Sequence, residues 1–470
     1  MSKGKEMAKN TIIILIGKIC TQFLSFFLLP LYTSFLKSDE FGVVDLITTY
    51  VSLLVPCITL QIENALFRFL VEQRENEEKK KKIITNTLFS VIYLLLICMI
   101  IYEVIGIFVY IKYQYYVLGI IVFTIFSNIM LQMARGVGDN IGYSIGSLVA
   151  GGTTILLNVL FLTIFHFGPK GMLLSLILAN QLCAIYLVIR EKAGQYICFE
   201  CIDKKECYRL LKYSIPLVPN SIIWWIINVS DRTLITFFLG VSSNGIYAVA
   251  NKFSNAIMSV YYVFNMSWTE SASLYMKDKD SNKFFSEMFE TMFHLFASIC
   301  LCVMAGMSFI FPIMVNAAYI DAYDYIPILM VGCLFNVFVG LIGAVYVALK
   351  RTKEIAQTSI TAGVINFTLN IGLIKFLGLY AASLSTAIAF IIMSIYRYKD
   401  VQQYVRLEMK RDTVLRVSIV YIISIILYYQ KNNIANIVNI NIALLYSLHC
   451  NRKIIFVVMG KLKEILMRHN

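Results

Sequence analysis

The sequence predicts an all-α, polytopic membrane protein with about fourteen transmembrane helices. Of its 470 residues, 59% are hydrophobic and only 15% are charged, which is far from the composition of a soluble globular chain. The apolar residues form successive runs of about 20, the length that an α-helix needs to cross a bilayer core. The basic residues fall almost entirely in alternate connections between these runs, as they do in multi-span membrane proteins.

The net charge of +13 does not indicate a nucleic-acid partner, because the basic residues are sorted by membrane side. With the predicted spans, 33 of the 41 lysines and arginines lie on one side and four on the other. The positive-inside rule makes the basic side cytoplasmic, and both termini are then cytoplasmic. A charge inside a span costs roughly 2.5–3.5 kcal/mol on insertion scales. Away from the span ends, four basic residues lie there, namely Lys18, Arg232, Lys252 and Lys375.

The apolar runs give the predicted spans in chain order. Their bounds are 11–36, 41–66, 84–110, 115–134, 144–166, 171–190, 213–239, 245–268, 287–313, 325–348, 355–376, 380–397, 413–429 and 434–450. The first run continues past Lys18 without a small-residue cleavage site, so we expect a retained span rather than a signal peptide. The predicted cytoplasmic connections include 74–82, 190–212 and 397–412, and the external connections are short.

Two similarities within the chain predict an internal repeat. The segment FLKSDEFG at 35–42 corresponds to FLGVSSNG at 238–245, which lies 203 residues later. An asparagine followed by a glycine-containing turn at 158–171 corresponds to the same arrangement at 370–382. Both offsets relate a span to the sixth span after it, so the repeats share one orientation and an axis along the membrane normal is expected.

The repeat divides the chain into two pseudo-symmetric six-helix lobes and two further helices. Residues 1–190 form an N-terminal lobe of spans 1 to 6, and 191–212 form a cytoplasmic linker. Residues 213–398 form a C-terminal lobe of spans 7 to 12. Residues 399–470 supply two extra spans and a cytoplasmic tail. Bent helices are expected as well, because six of the seven prolines lie in or at the ends of spans.

Polar residues form a stripe on one face of span 2, spaced by three and four positions. The stripe consists of Asp45, Thr49, Ser52, Pro56, Thr59 and Glu63. The corresponding positions of span 8 also carry polar residues, including Lys252, Asn255, Ser259 and Tyr262. Span 1 adds Lys18, and span 7 adds a face with Ser221, Trp225, Asn228 and Arg232, next to the charged Asp231.

Two interpretations of these intramembrane charges stay open. In the first, spans 1, 2, 7 and 8 line a hydrated cavity, whose cations meet an anionic head group and whose hydroxyls and amides meet a sugar. In the second, the charges only pair internally, for example Asp45 or Asp231 with Arg232 or Lys252. Arg68 at a cytoplasmic span end could receive a phosphate or anchor in the interface, and His294 is more typical of a packed, hydrogen-bonded histidine than of a proton relay.

The sequence predicts no enzyme and no cofactor. It contains neither a GxxxxGK[ST] phosphate loop nor an HExxH motif, so transport is not expected to use ATP hydrolysis within this chain. The eleven cysteines are scattered and indicate no disulfide framework. Cys198 and Cys201 form a CxxC without further metal ligands, so we expect reduced thiols in a cytoplasmic connection.

Four segments resemble the Wzx-type polysaccharide-biosynthesis flippases of the multidrug/oligosaccharidyl-lipid/polysaccharide (MOP) exporter superfamily, and the likeness covers essentially the whole chain. They are PLYTSFLKSDEFGVVDL (30–46), SIPLVPN (214–220), VSDRTLITFFLGVSSNGIYAVANKFSN (229–255) and NFTLNIGLIKFLGLYAASLSTAIA (366–389).

The resemblance implies a flippase that moves an undecaprenyl-diphosphate-linked oligosaccharide from the inner to the outer leaflet of a bacterial plasma membrane. The glycan would be O-antigen, capsule or exopolysaccharide, and the polysaccharide polymerase machinery is a candidate partner. Alternating access would be coupled to H⁺, Na⁺ or the membrane potential. On the matching positions, the head group would meet Lys18, Arg68, Arg232 and Lys252, with Asp45, Glu63 and Asp231 as partners or ion-coupling carboxylates.

Three alternatives remain at this point. An ion-coupled multidrug exporter of the same superfamily would have a more acidic and aromatic cavity, and a peptidoglycan-precursor flippase would use the same architecture. A membrane glycosyltransferase or polysaccharide polymerase belongs to a different class and usually carries a sizeable external loop. The external connections predicted here are short.

Overall fold

A computed structural model describes residues 26–109, 112–276, 280–452 and 456, and every regular element within them is helical. The α-helices are α1 (Leu29–Phe35), α2 (Ser38–Thr59), α3 (Ile62–Glu72), α4 (Glu77–Phe108), α5 (Gln114–Val137), α6 (Asn140–Val159), α7 (Pro169–Arg190), α8 (Lys204–Ser214), α9 (Val218–Leu239), α10 (Val241–Tyr275), α11 (Ser281–Met314), α12 (Ile326–Ala348), α13 (Thr352–Leu377), α14 (Leu379–Val401), α15 (Arg411–Tyr429) and α16 (Asn433–Cys450). A π-helical turn, Leu160–Ile164, continues α6, and a 3₁₀ segment, Ala317–Tyr325, precedes α12.

The predicted class, an all-helical protein with many membrane spans, is confirmed. Ten helices in the described part of the chain are long and apolar enough to cross a membrane, and the bent pair Lys204–Ile226 and Val229–Leu239 raises this number to as many as eleven. Helices α10 and α16 occupy predicted spans 8 and 14, although neither is among those ten. Most of the predicted first span lies outside the described residues, including Lys18.

Two predicted cytoplasmic connections are more helical than expected. Helix α4 begins at Glu77, inside the run predicted as a loop, because the Asn76 side chain accepts the Lys79 N–H at 3.0 Å and caps it. The acidic first turn of α4, Glu77 and Glu78, also suits the positive end of the helix dipole. Helix α8 begins within the predicted linker and ends two residues beyond it, and Asp203 caps it by accepting the Lys205 N–H at 2.9 Å.

The Cα positions divide into two compact units, Met1–Thr233 and Leu234–Asn470. In the first unit α7 packs against both α5 and α6, and α3 packs against α5. In the second unit α14 packs against α12 and α13, and α12 also packs against α10. Helices α15 and α16 pack on each other and on α11 within the second unit.

The two predicted similarities correspond to shared local structure. Helices α2 and α10 begin at Ser38 and Val241, which are 203 residues apart, as the sequence offset requires. Gly168 and Gly378 both have φ of 56°, with ψ of −136° and −134°, and each is followed at once by the start of a helix. Only glycine adopts this region of φ and ψ without appreciable strain, which explains its presence in both turns.

Arg397 joins three helices in the second unit and is only 2% exposed. Its guanidinium donates to the Thr358 hydroxyl at 2.9 Å, to the Val339 carbonyl at 3.0 Å and to the Ser359 hydroxyl at 3.1 Å. These partners lie on α12 and α13, whereas Arg397 lies on α14. Hydrogen bonds to a charged group are each worth about 1.5–3 kcal/mol, so this cation serves to hold the three helices together.

Polar contacts also attach the last two helices to α11. His294 Nδ1 lies 2.9 Å from the Tyr446 hydroxyl, and the Tyr421 hydroxyl donates to the Ala297 carbonyl at 2.9 Å. His294 is therefore a packed and hydrogen-bonded histidine, in agreement with the simpler of its two interpretations.

Candidate functional site

An ion pair joins two membrane helices in the first unit. Arg232 Nε on α9 lies 2.7 Å from Asp45 Oδ2 on α2, and the two side chains are only 14% and 13% exposed. Removing two charges from water costs several kcal/mol per ion, which the attraction between them recovers only in good geometry. Ionisable groups at such positions usually belong to a functional site, so the pair is the centre of the candidate site.

Neighbouring contacts hold this part of α9 on α2. The Trp225 indole N–H donates to the Thr49 carbonyl at 3.0 Å, and its ring lies 6.2 Å from the ring of Tyr50. Just after the end of α2, the Gln61 side-chain amide donates to the Ser221 hydroxyl on α9. Both contacts lie on the same side of the Asp45–Arg232 pair, toward the start of α9, and they attach this part of α9 to the segment that carries Asp45.

The predicted polar stripe is interrupted at its end. Leu60 and Gln61 both have left-handed backbones, with φ of 50° and 56°, and they separate α2 from α3. The predicted single span 41–66 is therefore wrong in its last turns, because two consecutive non-glycine residues of this conformation cannot continue a helix. Glu63 lies in the first turn of α3, where a carboxylate suits the helix dipole, rather than on the face of Asp45.

The remaining predicted residues of the first unit have different environments. Ser52 is exposed and donates to the Thr49 carbonyl at 2.6 Å, whereas Asp231 is buried, at 5% exposure. Arg68 lies on α3 in an ion pair with Glu72 at 3.0 Å, and its side chain is 57% exposed. Exposed pairs of this kind contribute at most about 1 kcal/mol, so Arg68 can exchange its partner at little cost.

The predicted stripe of the second unit lies on one continuous helix, α10. Lys252, Asn255, Ser259 and Tyr262 keep the spacing of three and four positions and so share a face. The Ser259 hydroxyl donates to the Asn255 carbonyl at 2.8 Å, and Tyr262 is 54% exposed. Lys252 is of intermediate burial.

The connection after α7 is fixed to α4. The buried Asn86 donates to the Cys201 carbonyl at 2.9 Å and accepts the Asp203 N–H at 2.8 Å. Cys198 and Cys201 are joined in a disulfide, so the expectation of two reduced thiols is wrong for this structure. The reason is local, because the 3₁₀ turn at Phe199–Cys201 brings positions three residues apart onto one side.

Charged groups at the basic ends of α5 to α7 form a second cluster. Arg190 contacts both oxygens of Asp139, at 2.5 and 3.2 Å. Burial acts to raise the pKa of Asp139, but hydrogen bonds from Arg190 and from the Gly142 N–H outweigh it, so this pKa is lowered. Burial and the nearby Asp139 carboxylate together raise the pKa of Glu191 to about 7.

A comparison with protein families identifies the chain. The family described as "Polysaccharide biosynthesis protein" matches residues 7–269, which is more than half of the sequence. The chain belongs to the polysaccharide biosynthesis protein family. An uncharacterized membrane protein of Methanocaldococcus jannaschii is also similar, with 22% identity over 419 residues that make up 82% of this chain and 95% of the relative.

Solved structures show the same fold. The lipid II flippase MurJ in an inward closed conformation is similar with a TM-score of 0.70 and 16% identity, over 96% of this chain and 100% of that one. A multidrug resistance MATE family transporter of the MOP superfamily, in an inward-facing conformation, gives a TM-score of 0.64 and 13% identity, over 86% and 98% of the two chains. The MOP fold expected from the sequence is therefore confirmed, and these two neighbours are described as a flippase and a transporter.

The sequence did not reveal every contact that shapes the site. Ser221 and Trp225 belong to the predicted polar face of span 7, but their contacts with Gln61 and with the Thr49 carbonyl were not expected. Gln61 could not be found from periodicity, because it belongs to the irregular break after α2. Arg397 is the last residue of the predicted span 380–397, and that position gave no sign of its buried hydrogen-bond partners.

Proposed function

We propose that this protein is a flippase that translocates an undecaprenyl-diphosphate-linked oligosaccharide from the inner to the outer leaflet by alternating access. The family and the fold support a MOP transporter, and the proposal adds the substrate. The observation that carries it is the Asp45–Arg232 ion pair, in which a guanidinium within membrane helices lies beside a carboxylate.

A guanidinium is well suited to a diphosphate head group. It stays charged at all accessible pH values and binds phosphate oxygens through two parallel N–H bonds, which a lysine ammonium cannot do. We propose that the head group competes with Asp45 for Arg232. The incoming phosphate takes the place of the Asp45 carboxylate on Arg232, so the guanidinium keeps an anionic partner throughout. The barrier to binding therefore stays low.

The carboxylate provides a route for ion coupling. When the phosphate takes Arg232, we propose that the Asp45 carboxylate exchanges the guanidinium for the coupling ion, H⁺ or Na⁺. Return of the empty transporter then requires Asp45 to release that ion and to pair with Arg232 again. Arg68 in the first unit and Lys252 in the second unit are also proposed to contact the head group.

The experiment uses the strain that carries the gene. The gene is deleted, and the lipid-linked oligosaccharides are extracted, identified by mass and assigned to a leaflet by their accessibility to a membrane-impermeant oxidant of sugars. Complete repeat units trapped on the cytoplasmic side are the expected result. Truncated units would instead indicate a transferase, and an unchanged lipid pool would refute the proposed substrate.

Complementation then tests the ion pair. Arg232→Gln should leave the protein inserted but reduce export at least tenfold, whereas Asp45→Asn should retain substrate binding and lose coupling. Arg209→Gln changes an exposed arginine that pairs with Glu206, and it serves as the matched control with normal export. Normal export by Arg232→Gln would exclude Arg232 as a head-group ligand.

An ion-coupled multidrug exporter is the second candidate, because MATE transporters share the fold over most of the chain. It predicts that deletion raises sensitivity to amphipathic cations and leaves the glycan lipids unchanged. The two candidates are thus separated by the same deletion strain.

A further inference from the structure

An apolar cavity of about 580 Å³ lies in the first unit, among α4, α5, α7 and the connection that follows α7. Its walls are aliphatic and aromatic apart from Thr85 and Gln181, together with backbone atoms. The transport mechanism proposed above does not use this cavity, since its site lies on α2 and α9. A cavity of this composition favours an apolar ligand.

The cavity faces outward near the basic ends of its helices. Several of its lining side chains are strongly exposed, including Phe89 at 47%, Ile189 at 72% and Phe199 at 81%. All three helices are long and apolar enough to cross a membrane. Exposed apolar side chains of such helices contact lipid chains, and the positive-inside rule assigns these ends to the inner leaflet.

Cations border the cavity on its basic side. Lys81 lies one helical turn before Thr85 on the same face of α4, and Lys192 directly precedes the lining residue Ala193. Both lysines are exposed. A third, Lys82, is 2.7 Å from Asp203 and holds the connection in place beside the lining residue Ile202. The cavity therefore combines an apolar interior with a cationic border.

We propose that this cavity is a binding site for one acyl chain of an anionic phospholipid from the surrounding inner leaflet, whose head group contacts Lys81 and Lys192. At about 30 Å³ for a group the size of a water molecule, the volume holds about 19 methylene groups, which is one fatty acyl chain. A long polyisoprenoid tail would exceed it.

Charge, rather than burial, gives this site its selectivity. A lipid chain gains little by leaving other lipid chains for an equally apolar protein surface. Basic residues near a membrane surface attract anionic lipids, and each contributes roughly a fivefold change in affinity. The site should therefore distinguish phosphatidylglycerol from phosphatidylcholine, although their acyl chains are the same.

The test uses the full chain, purified and reconstituted in phosphatidylcholine vesicles. The vesicles contain a trace of phosphatidylglycerol or phosphatidylcholine with the same photoactivatable diazirine in the acyl chain, and labelled peptides are located by mass spectrometry. We expect the phosphatidylglycerol probe to label residues 184–202 at least fivefold more than the phosphatidylcholine probe does. The double variant Lys81→Gln/Lys192→Gln should lose this preference, and the exposed control Lys205→Gln should retain it.

A second variant adds bulk at the cavity wall. Gly194 lines it, and a Cβ atom built there meets nothing within 4 Å, so the large side chain of Gly194→Trp is introduced without a clash at its Cβ. Labelling should fall at least fivefold, whereas Leu182→Trp, at an exposed position of α7 outside the cavity, should change nothing. Equal labelling by both probes, or no effect of Gly194→Trp, would overturn the proposal. So would competition by a polyprenyl diphosphate but not by phosphatidylglycerol, or photo-crosslinks from this segment to a second copy of the chain.

Discussion

Arg232 and Asp45 lie 2.7 Å apart on α9 and α2, and both side chains are more than four-fifths buried. The contact gives the α2 stripe a defined partner, which periodicity alone could not choose. It also makes the pairing and substrate-binding interpretations compatible, because one guanidinium can hold the carboxylate in the empty state and a phosphate in the loaded state. An experiment that reverses the two charges separates pairing with Asp45 from binding of the phosphate.

Reversing the pair should restore stability without restoring transport. Arg232→Asp or Asp45→Arg alone leaves like charges together, and losing a buried partner costs about 3 kcal/mol. The double variant Asp45→Arg/Arg232→Asp re-forms the pair but moves the cation to α2. We expect a thermal unfolding midpoint near that of the wild type with glycan export below one-tenth. Full export by the reversed pair would mean that the charges only pair with each other.

Arg397 should be necessary for the stability of the second unit. Arg397→Met removes the donors of several hydrogen bonds and leaves the Thr358 and Ser359 hydroxyls among apolar helices, so we expect a loss of about 3 kcal/mol. Arg397→Lys should recover little, because an ammonium cannot reproduce the planar set of donors. The unfolding midpoint in detergent measures both, with the exposed Arg406→Met as control. Wild-type stability of Arg397→Met would exclude this role.

Asn86 should determine whether the connection after α7 stays docked. Asn86→Ala deletes the hydrogen bonds to the Cys201 carbonyl and from the Asp203 N–H, at a cost of about 1–3 kcal/mol to local stability. Hydrogen exchange at residues 196–203 should therefore rise at least fivefold, while exchange in α7 stays unchanged. Asn180→Ala, which removes a hydrogen bond within α7 itself, provides the comparison. Unchanged exchange at 196–203 would contradict the docking role.

Glu191 should make stability fall as the pH rises through the range between about 4.5 and 7. Its folded-state pKa is about 7, above the ordinary value of 4.5, so the folded protein holds a proton that the unfolded chain has already released. Asp139 has a lowered pKa and is ionised throughout this window, so its contribution is constant there. Glu191→Gln should flatten the unfolding midpoint between pH 5 and 8. A pH profile identical to that of the wild type would exclude Glu191 as its source.

The glycines of the two repeated turns should be equally intolerant of a side chain. At Gly378 a Cβ atom meets nothing within 4 Å, and at Gly168 the nearest atoms are 3.9 Å or more away, so the penalty for alanine is conformational. We expect about 1–3 kcal/mol at each position. Gly152→Ala is the control, because this helical glycine also has open space and should become slightly more stable. Unequal losses at Gly168 and Gly378 would contradict the shared conformation.

The sequence predicted those features that depend on long runs and on periodicity. Hydropathy gave the membrane class and most helix positions, and the 203-residue offset gave the paired starts of α2 and α10. Local, irregular contacts were not predictable. The left-handed pair Leu60–Gln61 carries no glycine signal, so span 2 appeared continuous and Glu63 was placed on the wrong face. The sequence left two carboxylates, Asp45 and Asp231, as candidate partners of Arg232. Only the packing between distant segments brings Asp45 to it.

Because the backbones at Gly168 and Gly378 match, the same turn can be tested at two positions of one protein. A saturation library scored for export would sample one turn geometry twice, 210 positions apart, under the same expression level and the same membrane. Agreement between the two profiles would measure the noise of the assay. A residue that is tolerated at one turn but not at the other would show that the two turns have different functional requirements.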